Sequence, residues 1–403
     1  MANEVNLNLD PRGFMNIVPE RMAAIQGAPE KPLPAEYPAD RLMRALHPEW
    51  QYAKIAKAES HGKDAKSFFL IPDRDKGTEK FAWFSAGQYV CVYLAIGGSR
   101  LLRPYSICSA PADALNGSYV LTVKRAENGF ASDYILDNWT EGGSVTLTGP
   151  EGSFTYEPLR DARNIIGIAG GSGITPFYSL ACAIAGGTED CSLTLLYGSR
   201  RADDILLKEK LEEAAAKTDK VKVVHVLSDE QVPGYEHGFI TAELIKKYAP
   251  PGDFSIFLSG PQAMHNFCDR QIAALGIPAR LVRHELSGEC KEPSAQPDYP
   301  GVQDKRFTLK VKIRDKEQDI PCVTGETLLK AMERAGIAAP SRCRSGGCGF
   351  CHAKLLKGEV FVPAAFDKRR LADVTFNHIH TCITFPLGDI AIEVPALRIP
   401  ADY

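Results

Sequence analysis

The chain has 403 residues, of which 44% are hydrophobic and 24% are charged, and its formal net charge is −3. This length predicts two to three domains with enough apolar residues for real cores, and the near balance of charge gives no overall attraction to nucleic acid or to an anionic membrane surface. No apolar run approaches the roughly 18 residues that span a bilayer, and the first residues lack a basic stretch followed by an apolar one, so we expect a cytoplasmic protein with no transmembrane segment and no nucleic-acid partner.

Most of the eleven cysteines lie inside apolar segments, which favours reduced thiols over a disulfide framework. Five of them are expected to be buried and to act as small hydrophobic residues: Cys91, Cys182, Cys191, Cys268 and Cys322. Cys290 lies in a polar stretch and is the cysteine that we expect to be exposed.

Residues 1–48 form an N-terminal extension that is rich in proline and contains only short amphipathic pieces, such as residues 39–46. Because this segment has no complete core of its own, we expect it to pack on the next domain or to be partly disordered. Residues 49–160 instead show several short alternating strands divided by turns, as at residues 81–94 and Tyr119–Lys124. This pattern predicts a small antiparallel β-barrel.

The tetrapeptide Arg103-Pro104-Tyr105-Ser106 follows an apolar strand of this barrel. Its residue types suit a flavin, because a guanidinium can clamp a pyrophosphate, a tyrosine can lie against the ring or its sugar chain, and a hydroxyl can bond to the reactive edge of the ring. Four residues alone do not establish such a site.

A second motif lies further along the barrel, where residues 127–134 look like a turn that opens a short helix, with Gly129 and Ser132 at its start. The N–H groups at such a helix start can hold a diphosphate, which favours FAD over FMN. The alternative is an ordinary glycine turn with a serine cap.

From residue 161 to residue 286, continuous apolar strands alternate with helices. This pattern predicts a parallel α/β sheet covered on both faces, which is the layout of a nucleotide-binding domain. A charged helix is predicted around residues 206–217, and the predicted strands are residues 164–169, 192–197, 221–227 and 254–258.

Two turns of this α/β domain are candidates for a nicotinamide nucleotide. The segment Gly170-Gly171-Ser172-Gly173-Ile174-Thr175-Pro176 lies between a strand and a helix, where its glycines allow a phosphate to approach and a helix tolerates proline. The third glycine of the dinucleotide fingerprint is absent, but the flanking strand and helix supply the required context. Ser259-Gly260-Pro261 follows the last apolar strand, at an edge where ligands bind in open α/β sheets. A plain strand-to-helix turn is the alternative for this second segment.

Residues 287–304 are dominated by proline, glycine and charge without a periodic pattern, which indicates an interdomain linker. Residues 305–403 begin with an alternating strand over Arg306–Ile313, continue with a helix over residues 327–335, and end with a strand over residues 390–394. This order predicts a compact, ferredoxin-sized domain.

Cys343, Cys348, Cys351 and Cys382 form the run C-x4-C-x2-C followed by a remote cysteine, which is the spacing of a plant-type [2Fe-2S] cluster. The glycines between them let backbone N–H groups approach bridging sulfides. A structural zinc site, the alternative, usually takes pairs of ligands in two places, whereas here three ligands lie together and one is remote. The spacing therefore predicts a protein that moves single electrons.

Taken together, these motifs resemble the ferredoxin–NADP reductase superfamily fused to a C-terminal plant-type ferredoxin, over roughly residues 49–403. The domain order is similar to that of the phthalate dioxygenase reductase type, and the second phosphate motif is closer to the FAD-containing reductases of phenylacetyl-CoA epoxidase and ketosteroid hydroxylases. The resemblance implies a multidomain α/β and β protein with an antiparallel flavin-binding barrel, a parallel nicotinamide-binding domain and a β-grasp ferredoxin.

The resemblance also implies roles for particular residues. Arg103, Tyr105 and Ser106 would bind FAD, with Gly129 and Ser132 completing its diphosphate site. The nicotinamide nucleotide would be bound by Gly171, Gly173, Thr175, Pro176, Gly260 and Pro261. Members often carry a cysteine where this chain has Ser259, which puts the rate of hydride transfer in question. A terminal aromatic residue covers the flavin in some relatives, but Tyr403 ends the ferredoxin part and we interpret it as a coincidence.

The implied function is electron transfer, in which hydride passes from NADH or NADPH to FAD and single electrons pass through the [2Fe-2S] cluster to a partner such as an oxygenase or demethylase. No acid–base side chain is required, so no catalytic residue is nominated. The alternatives are a reductase for an oxygen-independent acceptor, such as a corrinoid or hybrid-cluster protein, and a non-catalytic redox-sensing module.

Two details of recognition are left as hypotheses. Arg200 and Arg201 could pair with a 2′-phosphate, while Asp203 and Asp204 could contact a ribose hydroxyl; because related oxygenase reductases mostly use NADH, we favour NADH. A basic rim for the electron acceptor could be formed by Arg342, Arg344, Lys368, Arg369 and Arg370. A solvated charged surface is the alternative for these five residues.

Overall fold

The computed structural model describes residues 11–28, 36–285, 288–302 and 305–397, so Tyr403 lies outside the described residues. Its contacts divide the chain into two units, Met1–Ala45 and Leu46–Tyr403. The N-terminal part contributes helices α1, Pro11–Gln26, and α2, Pro38–Leu46. Large apolar side chains of both helices are exposed, so the described residues of this segment form no core of their own.

The first sheet of the larger unit is antiparallel, and its pattern confirms the expected half-barrel. Its strands are β1 Gln51–His61, β2 Ala65–Pro72, β3 Tyr89–Ile96, β4 Ser99–Ser106, β5 Tyr119–Lys124 and β6 Ser144–Leu147, in the order β4-β3-β6-β1-β2-β5. Two short helices, α3 Pro111–Leu115 and α4 Phe130–Asn138, complete the domain. The core is built by alternate residues of the strands, such as Phe68 and Leu70 on β2 and Leu121 and Val123 on β5.

The strand expected over residues 81–94 is shorter than the sequence pattern indicates, because β3 begins only at Tyr89. The residues before it form a turn, in which the Gln88 N–H donates to the Ser85 carbonyl at 3.0 Å and Gly87 takes a φ of +97°. Phe81 is buried by stacking on Tyr119, with ring centroids 4.2 Å apart. The apolar residues of this stretch therefore cover the barrel as a loop.

The second sheet is parallel throughout. Its strands are β7 Asn164–Gly170, β8 Ser192–Ser199, β9 Val221–Leu227, β10 Glu236–His237, β11 Phe254–Ser259 and β12 Val282–His284, in the order β10-β9-β8-β7-β11-β12. Its helices are α5 Thr175–Ala185, α6 Lys208–Ala215, α7 Ala242–Tyr248 and α8 Gln262–Ala273. Residues 165 and 169 of β7 join one core with α5 and α6, while residues 166 and 168 join another with α7 and α8. Both faces of the sheet are therefore covered, as the sequence predicts.

The strand order of this sheet creates a crevice. The chain runs outward from β7 through β8 and β9 and then returns to β11 on the other side of β7. At such a reversal the loops after the two central strands diverge, and ligands bind between them at the carboxyl ends. The loops that follow β7 and β11 are those that carry the two candidate nicotinamide motifs.

The third sheet is mixed, and helix α9, Leu328–Arg334, packs against it. Its strands are β13 Arg306–Ile313, β14 Lys316–Val323, β15 His352–Lys357, β17 His378–His380 and β19 Ile390–Glu393, in the order β14-β13-β19-β15-β17. A separate two-stranded sheet is formed by β16 Val360–Phe361 and β18 Phe385–Pro386. The domain also contains the short helix α10, Leu371–Thr375. Thr327 caps α9 by accepting from the Lys330 N–H at 3.3 Å. This arrangement confirms the β-grasp domain.

The prediction that Cys290 is exposed was wrong. Its side chain is only 3% exposed and packs with Phe361 and Phe385 of the ferredoxin domain and with Tyr299. The contact could not be predicted from the polar composition of the linker, because only two of its residues, Cys290 and Tyr299, pack into this apolar cluster. Residues 288–302 thus run along the ferredoxin domain.

All eleven cysteines are free thiols. Of the five that were expected to be buried, Cys182 is half-buried and the other four are buried. Within the described part of the chain, no helix is both long enough and apolar enough to cross a membrane.

Candidate functional site

The four motif cysteines converge as two pairs on one side of the ferredoxin domain. Cys343, Cys348 and Cys351 lie on the loop between α9 and β15, and Cys382 follows β17. The thiol of Cys351 donates to Cys382 with the sulfurs 3.3 Å apart, while Cys343 accepts from the Cys348 N–H at 3.4 Å. The Cys348 thiol also donates to Cys343, which lowers the pKa of Cys343 to about 5. Two pairs of thiolates match the two irons of a [2Fe-2S] cluster, each of which takes two cysteines.

The surroundings of these thiols fit a group with bridging sulfides. The hydroxyl of Ser341 is buried without a hydrogen-bond partner among the described residues, so it is a donor for an additional acceptor at this place. The Ser345 hydroxyl lies beside Cys343 and helps to lower the pKa of that thiol. Gly346 has a φ of +78°, and a Cβ there would lie 2.7 Å from the Phe366 carbonyl oxygen. No group of three or more His, Cys, Asp or Glu in the described ranges is arranged to hold a single metal ion. The buried serine donor and the tight glycine turn are suited to a group with bridging sulfides.

Two residues of the flavin motif on β4 make contacts outside the barrel. Ser106 donates to Glu285 with an Oγ–Oε1 distance of 2.7 Å. The guanidinium of Arg103 makes a fork to Glu333, with Nη1–Oε1 at 2.9 Å and Nη2–Oε2 at 3.2 Å. A guanidinium carries five N–H groups, so this fork leaves Arg103 with donors for a further acceptor. Tyr105, between them, is half-buried, and burial raises its pKa.

The second flavin motif forms the predicted turn at the start of α4. Gly129 precedes the first residue of that helix, and a Cβ at Gly129 would lie 2.9 Å from the Ala126 carbonyl oxygen. The Ser132 hydroxyl is buried and accepts from the Ala126 N–H at 3.1 Å. The serine side chain thus closes the turn, and the helix start presents backbone N–H groups beside it.

The two nicotinamide motifs meet in the crevice between β7 and β11. A Cβ on Gly173 would lie 2.8 Å from the Gly260 nitrogen, so only glycine allows the two turns to approach this closely. Gly171 adopts a φ of +55°. Thr175 donates to the Ser172 carbonyl at 3.1 Å, and Pro176 occupies the first turn of α5. The structure therefore brings together two segments that are far apart in the sequence and that carry the six predicted residues: Gly171, Gly173, Thr175, Pro176, Gly260 and Pro261.

Glu285 is a site residue that no motif of the sequence singles out. It follows the short strand β12, and its carboxylate accepts from Ser106 of the flavin motif and from Ser259 of the second nicotinamide turn. Burial raises the pKa of Glu285, and the hydrogen bonds from the two serines oppose that shift. Ser259 thus joins the two motifs through a carboxylate that it shares with Ser106.

The charges beside the end of β8 largely cancel. Arg201 pairs with Asp203, with Nε–Oδ1 at 3.3 Å, and with Glu230, with Nη2–Oε2 at 3.8 Å. Glu230 lies on the loop after β9 and also accepts from the Ala202 N–H. A guanidinium between two carboxylates is a weakened site for a further anion.

The prediction of a basic rim was wrong for its two cluster-loop residues. Arg342 and Arg344 are only 7% and 3% exposed, because each is buried in ion pairs inside the chain. Arg369 is half-buried and pairs with Asp367 at 2.7 Å. Lys368 and Arg370 are the members of the predicted rim that are exposed.

Replacing Glu285 with glutamine tests the cost of the half-buried carboxylate. A raised pKa means that the folded protein prefers the neutral acid, so wild-type stability declines as pH rises through that pKa, whereas the Gln variant keeps the shape without the charge. We expect the melting temperature of Glu285→Gln, relative to wild type, to increase from about pH 5 to about pH 8. Thermal melts monitored by circular dichroism measure this difference. Glu79→Gln, at an exposed position, is the control, and a flat or declining difference for Glu285→Gln would contradict the burial of its charge.

Three family descriptions match successive parts of the chain. The oxidoreductase FAD-binding domain matches residues 53–156, the oxidoreductase NAD-binding domain matches residues 168–270, and the 2Fe-2S iron-sulfur cluster binding domain matches residues 311–387. These matches coincide with the three sheets. They make the chain an NAD(P)H oxidoreductase that uses FAD and a [2Fe-2S] cluster.

Several relatives match the chain over most of its length. The ferredoxin reductase component of 3-ketosteroid-9-alpha-monooxygenase from Mycobacterium tuberculosis is 31% identical over 356 residues, which are 85% of this chain and 94% of that protein. One of the subunits of 1,2-phenylacetyl-CoA epoxidase from Escherichia coli is 26% identical, over 85% of this chain and 97% of that protein. The structure of phthalate dioxygenase reductase shares the fold, with a TM-score of 0.61, 24% identity, and coverage of 86% of this chain and 98% of that one. The chain therefore belongs to the ferredoxin–NADP reductase superfamily, among the reductases that carry a C-terminal plant-type [2Fe-2S] domain.

Proposed function

We propose that this protein is the NADH-dependent reductase component of a multi-component system and delivers single electrons to an oxygenase or a related redox enzyme. Transfer from NAD(P)H through FAD to a [2Fe-2S] cluster follows from the family. The observation that supports the assignment of sites is the position of Glu285, which links the flavin motif to the nicotinamide turn. The names of the monooxygenase and epoxidase relatives support an oxygenase as the acceptor.

The bound flavin supplies the conversion between two-electron hydride chemistry and the single-electron chemistry of the cluster. The residues of this chain hold and orient the partners. Arg103 has N–H groups for the FAD diphosphate, and the N–H groups at the start of α4, beside Gly129 and Ser132, supply a second anion site. Tyr105 and Ser106 lie on the same strand and suit the flavin ring.

Gly171, Gly173 and the Gly260-Pro261 turn would hold the nicotinamide nucleotide in the crevice between β7 and β11. Ser106 and Ser259 share Glu285 there, so the flavin motif and the nicotinamide turn are held at a fixed separation. A fixed separation serves hydride transfer, which requires the two rings to be in contact. Cys343 and Cys348 would bind one iron of the cluster, and Cys351 and Cys382 the other.

The acceptor protein would approach the cluster near Cys348. Cys343, Cys351 and Cys382 are each less than 5% exposed, whereas Cys348 is half-buried. Its neighbour Phe350 is 47% exposed and lies against the Arg342 guanidinium, 4.8 Å from the ring centroid. We also propose a cytoplasmic location, since free thiols persist in a reducing compartment.

Loss of one cluster ligand should block electron transfer through the cluster without blocking the reduction of the flavin by NADH. In Cys348→Ala, NADH still reduces the flavin, so ferricyanide reduction should stay within about twofold of wild type, while anaerobic cytochrome c reduction should fall at least about tenfold. The matched control is Cys322→Ala, which removes a buried thiol of the same domain outside the cluster loop. Unchanged cytochrome c reduction in Cys348→Ala would refute the cluster as the outlet for electrons.

Neutralising the partners of Arg201 should relax the choice of nicotinamide. Wild type should prefer NADH, because the Arg201 guanidinium, which could bind the 2′-phosphate of NADPH, already pairs with Asp203 and Glu230. In the double variant Asp203→Asn/Glu230→Gln, kcat/KM for NADPH should rise about tenfold with little change for NADH. Steady-state kinetics with both nucleotides give the ratio.

Two further results decide this prediction. Adding Arg201→Gln to the double variant should abolish the gain with NADPH, because it removes the cation that was released. A wild-type protein that uses NADPH as well as NADH would contradict the proposed preference.

A further inference from the structure

Two arginines flank the ligand Cys343, and both are buried against other parts of the chain. Arg342 donates from Nε to Oε1 of Glu151 in the flavin domain at 2.5 Å. Arg344 makes a fork to Glu333 of α9, with Nη1–Oε1 at 2.5 Å and Nη2–Oε2 at 3.0 Å, and also donates to Glu289 of the linker. The cluster loop is therefore fixed on both sides of its first ligand.

Glu333 connects this loop to the flavin motif. Its two carboxylate oxygens accept the fork of Arg344 and also that of Arg103, at 2.9 and 3.2 Å. The side chain is only 6% exposed. A carboxylate can accept about four hydrogen bonds, so two forks satisfy it completely. One residue of the ferredoxin domain thus holds a cluster-loop arginine and a flavin-domain arginine at the same carboxylate.

Close backbone contacts surround the network. The thiol of Cys91 on β3 donates to the Arg342 carbonyl, with Sγ 3.8 Å from the oxygen, and Cys91 is paired with Pro104 of the flavin motif across the β3–β4 ladder. At the end of α9, a Cβ on Gly336 would lie 2.7 Å from the Gly98 carbonyl oxygen of the β3–β4 turn. The two domains therefore meet with their backbones nearly in contact.

The charges of the network are not quite balanced. Arg103, Arg344 and Lys330 face Glu289 and Glu333, and Lys330 pairs with Glu289 at 2.9 Å. Three cations and two carboxylates leave one positive charge. The Lys330 side chain is 39% exposed, so solvent compensates part of this charge, and the diphosphate assigned to Arg103 is an anion that would compensate the rest.

We propose that Glu333 is a positioning residue for electron transfer from flavin to cluster: by holding Arg103 and Arg344 together, it fixes the Cys343 side of the cluster loop against the flavin domain. This inference rests on the proposed function, in which Arg103 binds the FAD diphosphate. Electron transfer slows steeply with distance, so a loosened contact should affect this step while leaving hydride transfer intact.

The test is Glu333→Gln in the full-length protein loaded with FAD and cluster. Anaerobic stopped-flow mixing with NADH should show flavin reduction within about twofold of wild type and cluster reduction slowed at least about tenfold. The electron paramagnetic resonance spectrum of the dithionite-reduced cluster should be unchanged, which separates loss of position from damage to the cluster.

A second measurement does not depend on activity. Amide hydrogen exchange, followed by mass spectrometry, should increase in the β3–β4 hairpin and in residues 336–349 of Glu333→Gln. The control is Glu326→Gln, because Glu326 makes a comparable fork to Arg334, at 2.9 and 2.8 Å, that stays inside the ferredoxin domain. Exchange and electron transfer in the control should match those of wild type.

Glu151→Gln gives an independent check if Glu333→Gln fails to fold. It removes the charge that pairs with Arg342 on the flavin side and leaves the ferredoxin domain unaltered. It should also slow cluster reduction more than flavin reduction. Cluster reduction at the wild-type rate in both folded variants, or equal effects in Glu333→Gln and Glu326→Gln, would overturn the inference. Failure of wild type to reduce its flavin with NADH would instead refute the proposed function.

Discussion

The burial of Glu333 between two guanidiniums is the constraint on which the arrangement of the domains depends. Removing two arginines and a carboxylate from water costs several kcal/mol per ion, and only good geometry compensates that cost. Arg103 and Arg344 supply four N–H groups to the carboxylate, so the contact is favourable in one relative position of the ferredoxin and flavin domains. An exposed pair would contribute little and would tolerate many positions. Buried charge thus gives this junction its specificity.

Strand β4 is the place where the three cofactor-binding domains meet. Side chains of a strand alternate between its two faces, so Arg103 and Ser106 point to opposite sides. Arg103 contacts Glu333 of the ferredoxin domain, and Ser106 contacts Glu285 at the end of the nicotinamide sheet. One short motif of the flavin barrel therefore contacts both the nicotinamide domain, which supplies electrons, and the ferredoxin domain, which receives them. The same alternation explains why neither contact interferes with the other.

Much of the fold follows from local patterns. Alternating strands, apolar strands between helices and the cysteine spacing predicted the three sheets and the [2Fe-2S] domain, because these features depend on local patterns in the sequence. The pairing of the four cysteines appears only in the structure. Glu285, Arg342 and Cys290 could not be predicted in this way, since their environment is set by partners far away in the chain. Arg342 pairs with a carboxylate 191 residues distant, and an arginine in a loop otherwise indicates a solvated charge. A single sequence does not show which charged residues become buried against partners that are distant in the chain.

The exposed part of the cluster loop is supported by the same buried contacts. Arg342 and Arg344 lie on either side of Cys343 and are directed to Glu151 and Glu333, so this ligand is enclosed where the ferredoxin and flavin domains meet. Phe350 packs on the Arg342 guanidinium, 4.8 Å from the ring centroid, and is 47% exposed. Because Arg342 also pairs with Glu151, one side chain connects the flavin domain to the aromatic residue beside Cys348, where we propose that an acceptor protein approaches.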